Sequence, residues 1–191
     1  MVMSRWRWWK IAGLCLLVLI ANYAAYAGVL HLTGNFHEVV PGELYRSAQP
    51  TAQQIARYKA HYGIKTVVNL RGRNLDHEWY RQELAASRAL GITHIDFRMS
   101  ARKLLSEPRA AELLSILRSA RKPILVHCRG GADRSGLVSA LYLAMTGHGE
   151  DEAEAQISPR FGHVGVPFLS KTHAMDESFE RLEPWLGFPH S

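Results

Sequence analysis

The sequence predicts an α/β domain with a central, mostly parallel sheet flanked by helices, preceded by one apolar N-terminal helix. Short runs of branched apolar residues, "IKTVVNL" at 64–70 and "PILVHC" at 123–128, read as strands covered on both faces. They alternate with longer segments of helical period, the order that gives parallel sheets with helices on their faces. Apart from these stands "IAGLCLLVLIANYAAYAGVL", uncharged from Ile11 to Leu30 and about as long as the roughly 20 residues a bilayer crossing requires.

The apolar run follows Arg5, Arg7 and Lys10 with no acid among them. Basic residues there hold the N-terminus in the cytoplasm, so the domain is expected to face the periplasm or the exterior. Ala25-Tyr26-Ala27 before Gly28 has the small-x-small pattern of a signal-peptidase site, so release after Ala27 is the alternative to an anchor. The run is long for a signal, and Trp6, Trp8, Trp9, Tyr23 and Tyr26 suit interfacial belts, which favours the anchor. The expected organisation is a cytoplasmic basic segment at 1–10, an anchor or signal at 11–32, a linker at 33–42 and one domain at 43–191.

Within the domain, "ELYRS" reads as a short strand after the Pro41-Gly42 turn. Thr51 and Gln54 have capping-box spacing, Ile55, Tyr58 and Tyr62 share one helical face, and Gly63 stops that helix. A second helix is expected from about Asp76 to Leu90, with Trp79, Leu84 and Leu90 apolar and Gly91 as its end. In "ITHIDFRM" the residues Ile95, Phe97 and Met99 alternate with His94, Asp96 and Arg98. Ser106 can cap a helix from Glu107 to about Ala120, with Ala110, Leu113, Leu114 and Leu117 on one stripe. "SGLVSALYLAMTG" is apolar nearly all round and should lie in the interior. A short helix from about Asp151 and another from about Thr172 to Leu186 complete the chain.

The formal net charge is +6, and without Arg5, Arg7 and Lys10 the remainder holds 20 basic against 17 acidic residues, too mild a balance for a nucleic-acid binder. Cys15 and Cys128 fall in different parts of the chain and cannot form a structural disulfide, so an unpaired cysteine in an oxidising compartment points to chemistry. The ten histidines are scattered without metal-ligand spacing, and no metal or cofactor is expected.

Ligands in such sheets bind beyond the carboxyl ends of the strands, and Cys128 stands at one of those ends. Arg129, Gly130, Gly131, Ala132 and Asp133 separate it from Arg134, so the backbone can curl into a concave anion nest and run into a helix N-terminus. That field also favours a thiolate, the nucleophilic form of cysteine. Arg134 supplies a planar fork for two oxygens of a phosphoryl group, and Ser135 can donate to the sulfur when it leaves. His127 is expected to hold the loop through backbone hydrogen bonds. Gly131 and Gly136 share the glycine spacing of a nucleotide P-loop, but Leu137 and Val138 replace its Lys and Ser/Thr.

"HCRGGADRS" resembles the His-Cys-x5-Arg-Ser/Thr signature of cysteine-dependent protein tyrosine and dual-specificity phosphatases, and "ELYRSAQP" and "GIKTVVNLRG" are similar to compact bacterial, membrane-linked or periplasmic members. The resemblance extends from about Glu43 to Met145. It implies hydrolysis of phosphate monoesters through a phosphocysteine, phosphotyrosine foremost with phosphoserine and phosphothreonine as further targets, and an aspartic acid that protonates the leaving oxygen. In the family that acid lies in the loop after the strand, here "SARKLLSE", which contains no aspartate. Asp96 matches the family spacing superficially but alternates within its strand. Asp133 occupies a position where myotubularins also carry an aspartate, and is the expected substitute or an ion-pair partner of Arg134; Glu107 is a weaker candidate.

Arg102, Lys103 and Arg129 together suggest a substrate with additional anionic groups, such as a phosphorylated lipid headgroup or an inositol phosphate. Arg46 and Arg71 could line the same mouth or pair with neighbouring acids. A pseudophosphatase that binds phosphorylated partners is the rival expectation from another class.

Overall fold

The computed structural model describes residues 5–188, with only the backbone of Arg5, Trp6 and Arg7. The first four residues of the expected basic segment and the last three of the expected domain lie outside the described residues. The apolar run lies within α1 (Arg5–Thr33), and Trp8–Thr33 is long and apolar enough to cross a membrane by length and composition. Its last turns meet the domain, where Leu30 is buried and the Tyr26 hydroxyl donates to the Arg160 carbonyl.

Five short strands form the sheet in the order β1-β2-β5-β3-β4: β1 (His37–Val40), β2 (Leu44–Ser47), β3 (Thr66–Asn69), β4 (Thr93–Asp96) and β5 (Ile124–His127). β2, β5, β3 and β4 run parallel, and β1 is an antiparallel edge strand inside 33–42, where a linker is expected from sequence. Its burial is only partial, so its apolar alternation is too weak to distinguish it from loop. β2, β3 and β5 are buried throughout, as two-sided cover requires.

On one side α2 (Ala52–Tyr62) and α3 (Glu78–Ala89) pack together, with Tyr45, Ile55, Tyr58, Val67 and Leu125 in a small core. The Thr51–Gln54 capping box forms, and Gly63 ends α2 in the left-handed conformation. α3 departs from its expected apolar face: its buried residues are Tyr80, Glu83 and Ser87, whereas Trp79 lies half-buried beneath Arg71.

The larger core lies on the other side, around α5 (Asp133–Met145), buried on all sides between α4 (Glu107–Ser119), the short α6 (Glu150–Glu154) and α7 (Ala174–Leu186). Ser106 precedes α4, but its side chain makes no capping bond.

Candidate functional site

Cys128 follows β5, the middle strand of the sheet, and is buried where β5 gives way to the loop leading into α5. Its Sγ lies 3.5 Å from the Ser135 Oγ in the first turn of that helix. Gly131 has φ +71°, and a Cβ there would approach the Ala48 nitrogen to 2.5 Å, so both its conformation and the space behind it require glycine.

The outward carbonyls of the loop are tied down one after another. Arg129 O accepts from the Gln49 amide at 3.3 Å, and Gly130 O from Asn35 Nδ2 at 2.9 Å. Gly131 O and Ala132 O both accept from Arg46 Nη2, at 3.0 and 2.9 Å. A carbonyl and the N–H of the same trans peptide point opposite ways, so the amides of Gly130, Gly131, Ala132 and Asp133 turn to the other side of the loop. Successive amides so turned, at a helix N-terminus, make an anion nest.

Arg46 is therefore neither part of the mouth nor the partner of an acid. It lies inside β2, fully buried, stacks against Phe161 and donates also to Gln156 O at 2.7 Å. Burial pushes its guanidinium down to about 9, against the opposing pull of Cys128 and Asp133. His127 likewise differs from expectation: its Nε2 meets Glu83 Oε1 at 2.9 Å instead of loop backbone. Glu83 also receives His94 Nε2 at 2.7 Å and Gln49 Nε2. Burial alone would raise this carboxyl, but His127, then His94 and Gln49, outweigh it and hold Glu83 well below the usual carboxylate range.

In front of the loop lies a cavity of about 480 Å³ lined by Arg71, Arg98, Met99, Ser100, Ala101, Arg102 and Arg134. Arg134 Nη1 reaches the carbonyls of Leu70 at 3.3 Å and Met99 at 3.5 Å, and its Nε is buried without a partner among the described residues. Arg71 stacks over Trp79 at 3.5 Å and donates to Gln49 Oε1 at 2.8 Å, which links it through Gln49 to Glu83. Burial and the charges of Arg134 and Arg129 push the Arg71 guanidinium down. Arg98 at the rim packs closely over Gly72, where any Cβ would stand 2.5 Å from that of Arg98. Lys103 lines a smaller neighbouring hollow with Arg98 and Arg109.

The carboxylates lie elsewhere. Asp133 Oδ1 meets His163 Nδ1 at 2.8 Å, and His163 Nε2 meets Asp176 Oδ2 at 2.9 Å. Burial alone would lower His163, but the two carboxylates outweigh it and raise its pKa. Asp133 borders a rear cavity of about 300 Å³ together with Arg129, Gly130 and residues of α1 such as Tyr23 and Ala27. Asp96 accepts from Asn69 Nδ2 at 2.8 Å and from the Tyr80 hydroxyl. Glu107 is exposed at the start of α4.

Asn35, Glu83, Arg98 and His163 were not singled out by the sequence reading. The available signals were an acid at a core-facing position of α3 and an asparagine beside a glycine, both with positive φ at the end of α1.

Residues 33–177 match the family model of the PTP-SAK, or Swiss Army Knife, DSP-PTPase phosphatase domain. The dual specificity protein phosphatase TpbA of Pseudomonas aeruginosa is 34% identical over 124 residues, which is 62% of this chain and 50% of that protein. The chain thus spans about half the length of the curated relatives it matches. Among solved structures, P. aeruginosa TpbA has a TM-score of 0.57 at 24% identity, covering 81% of this chain and 92% of that one. The same protein in complex with pTyr gives 0.57 at 23%, covering 81% and 91%. The core catalytic domain of the PP-IP phosphatase SIW14 from S. cerevisiae, in complex with citrate, gives 0.59 at 21%, covering 81% and 93%.

Proposed function

This chain belongs to the DSP-PTPase phosphatases, and from that premise we propose that it hydrolyses phosphate monoesters by passing the phosphoryl group through Cys128. The observation that carries the reading is the loop itself, with four consecutive carbonyls tied back so that their amides turn the other way, and with Arg134 at its end lining an arginine-rich cavity. The Cys128 thiolate attacks phosphorus, and the ester P–O bond breaks with its electron pair on the leaving oxygen. Water then supplies oxygen to phosphorus, the S–P pair returns to sulfur, and the Ser135 hydroxyl stabilises the returning thiolate. The amides of Gly130 to Asp133 and the Arg134 guanidinium hold the oxygens on which charge develops.

Protein phosphotyrosine is the leading substrate, supported by the relative solved with pTyr. A phosphorylated lipid or inositol phosphate is the second reading, favoured by Arg71, Arg98 and Arg102 around the cavity. Asp133 is assigned to holding the start of α5 through His163, because its carboxylate is engaged there instead of lining the front cavity. Across aryl phosphates from 4-nitrophenyl to phenyl phosphate, Asp133→Asn is therefore expected to leave the dependence on leaving-group basicity unchanged; a steeper dependence would assign proton transfer to Asp133.

The test of the reaction is phosphate release from 4-nitrophenyl phosphate by the full chain in detergent under reducing conditions. Cys128→Ser should abolish it, by at least about 10³-fold. No release by the wild type, with retained binding of phosphopeptides, would instead support a pseudophosphatase. We place the domain outside the cytoplasm, attached through α1; carbonate extraction should leave the chain with the membranes, whereas cleavage after Ala27 would release it.

A further inference from the structure

The front cavity combines abundant positive charge with no acid to protonate a departing group. Its lining contains Arg71, Arg98, Arg102 and Arg134, and the segment 97–106 that follows β4 and borders it carries no aspartate or glutamate. The carboxylates that proximity would nominate are engaged elsewhere: Asp133 on His163, Asp96 on Asn69 and Tyr80, Glu83 on His127 and His94. General acid catalysis contributes roughly 10²–10⁴-fold, most where the leaving oxygen is strongly basic. A site without it must act on a leaving group that departs as an anion, and arginines stabilise that anion directly.

We infer that the preferred scissile bond is a phosphoanhydride, whose leaving group is itself a phosphate received by Arg71, Arg98 and Arg102. Arg71 is prepared for this: Trp79 supports its plane and Gln49 fixes its edge, so little side-chain freedom is lost on binding. Arg134 closes the loop around the phosphoryl group being transferred, and its buried Nε, without a partner among the described residues, offers that group one more donor. In the step itself, Cys128 Sγ bonds to the terminal phosphorus and the bridging P–O bond breaks. The electron pair remains on the bridging oxygen, now part of a phosphate anion on the arginines. Water then releases orthophosphate, restoring the thiolate, and the proton of water passes to the product phosphate.

The inference rests on the cysteine mechanism proposed above and fails separately from it. The full chain in detergent micelles is assayed by kcat/KM on glycerol 2-phosphate, 4-nitrophenyl phosphate, ADP and farnesyl diphosphate. The alkyl monoester should be slower than the better of the two anhydrides by roughly 10³-fold, the order that general acid catalysis supplies. In Arg71→Met and Arg102→Met, the ratio of anhydride to 4-nitrophenyl phosphate turnover should fall by about tenfold, equivalent to about 1.4 kcal/mol. Preference for ADP identifies a water-soluble anhydride, and preference for farnesyl diphosphate a lipid one. Turnover of 4-nitrophenyl phosphate without either anhydride overturns the inference and leaves the cysteine mechanism standing. A ratio unmoved in both variants, or an alkyl monoester cleaved as fast as the anhydrides, also overturns it. No turnover of any of the four removes both.

Discussion

The two faces of the loop from Cys128 to Arg134 hold the same kind of residue in opposite conditions. Behind it, Arg46 is fully buried and donates to Gly131, Ala132 and Gln156. In front, Arg98 and Arg102 are exposed, and Arg134 keeps a buried Nε with no partner among the described residues. Arg46 Nε is likewise without a partner, so the contrast lies in the terminal nitrogens: those of Arg46 reach Gly131 O, Ala132 O and Gln156 within 3.2 Å, whereas Arg134 reaches only the Leu70 and Met99 carbonyls at 3.3 and 3.5 Å. Burial and the number of protein acceptors at the terminal nitrogens, not residue type, distinguish the two faces.

Substitutions can break this contrast, and the largest effect is expected in front. Arg134→Lys should lower kcat/KM for 4-nitrophenyl phosphate by roughly 10²–10³-fold, because an ammonium cannot supply a planar fork. Its thermal midpoint should stay close to that of the wild type; a large drop would move Arg134 to the scaffold side. Behind the loop, Arg46→Met should cost roughly 3 kcal/mol in urea unfolding, since two loop carbonyls lose their donor at about 1–3 kcal/mol each. Unchanged stability would mean that other donors replace it.

Gly131→Ala probes the loop between the faces. With φ at +71° and the Ala48 nitrogen in the way, it should cost about 2 kcal/mol by the same assay. The smallest effect concerns pH. The His163 pKa is raised in the folded state, so its contribution is complete below its ordinary value of 6.5 and is lost as pH rises through the raised one. The thermal midpoint of the wild type should therefore decline between pH 6 and pH 9 relative to that of His163→Gln. Parallel profiles would remove the Asp133–His163–Asp176 chain from the stability of the rear face.

The legible parts of the molecule were local ones. The Thr51–Gln54 cap, the stripe Ala110, Leu113, Leu114 and Leu117, and the all-round apolar α5 follow from spacings of a few residues, and the structure contains each of them. The loop was also legible, because cysteine, glycines and arginine lie within one turn of chain. What supports the loop was not, because its partners are distant: Arg46 and Gly131 are 85 residues apart, Asn35 and Gly130 95, Glu83 and His127 44. Arg46, in particular, reads in sequence as a polar residue at a strand end, and only the third dimension makes it a buried clamp. Likewise β1 carries too little burial to reveal itself by alternation.

The junction at the end of α1 adds a mechanical consequence. Tyr26 and Leu30 fasten the helix to the domain and Asn35, two residues past its end, adds a third point that holds the Gly130 carbonyl. Three fixings oppose swivelling, so the heading of α1 and that of the domain are coupled at this junction. Asn35 is then the end of a lever: a change of angle between α1 and the domain would reach, within one side chain, the Gly130 carbonyl of the loop after Cys128.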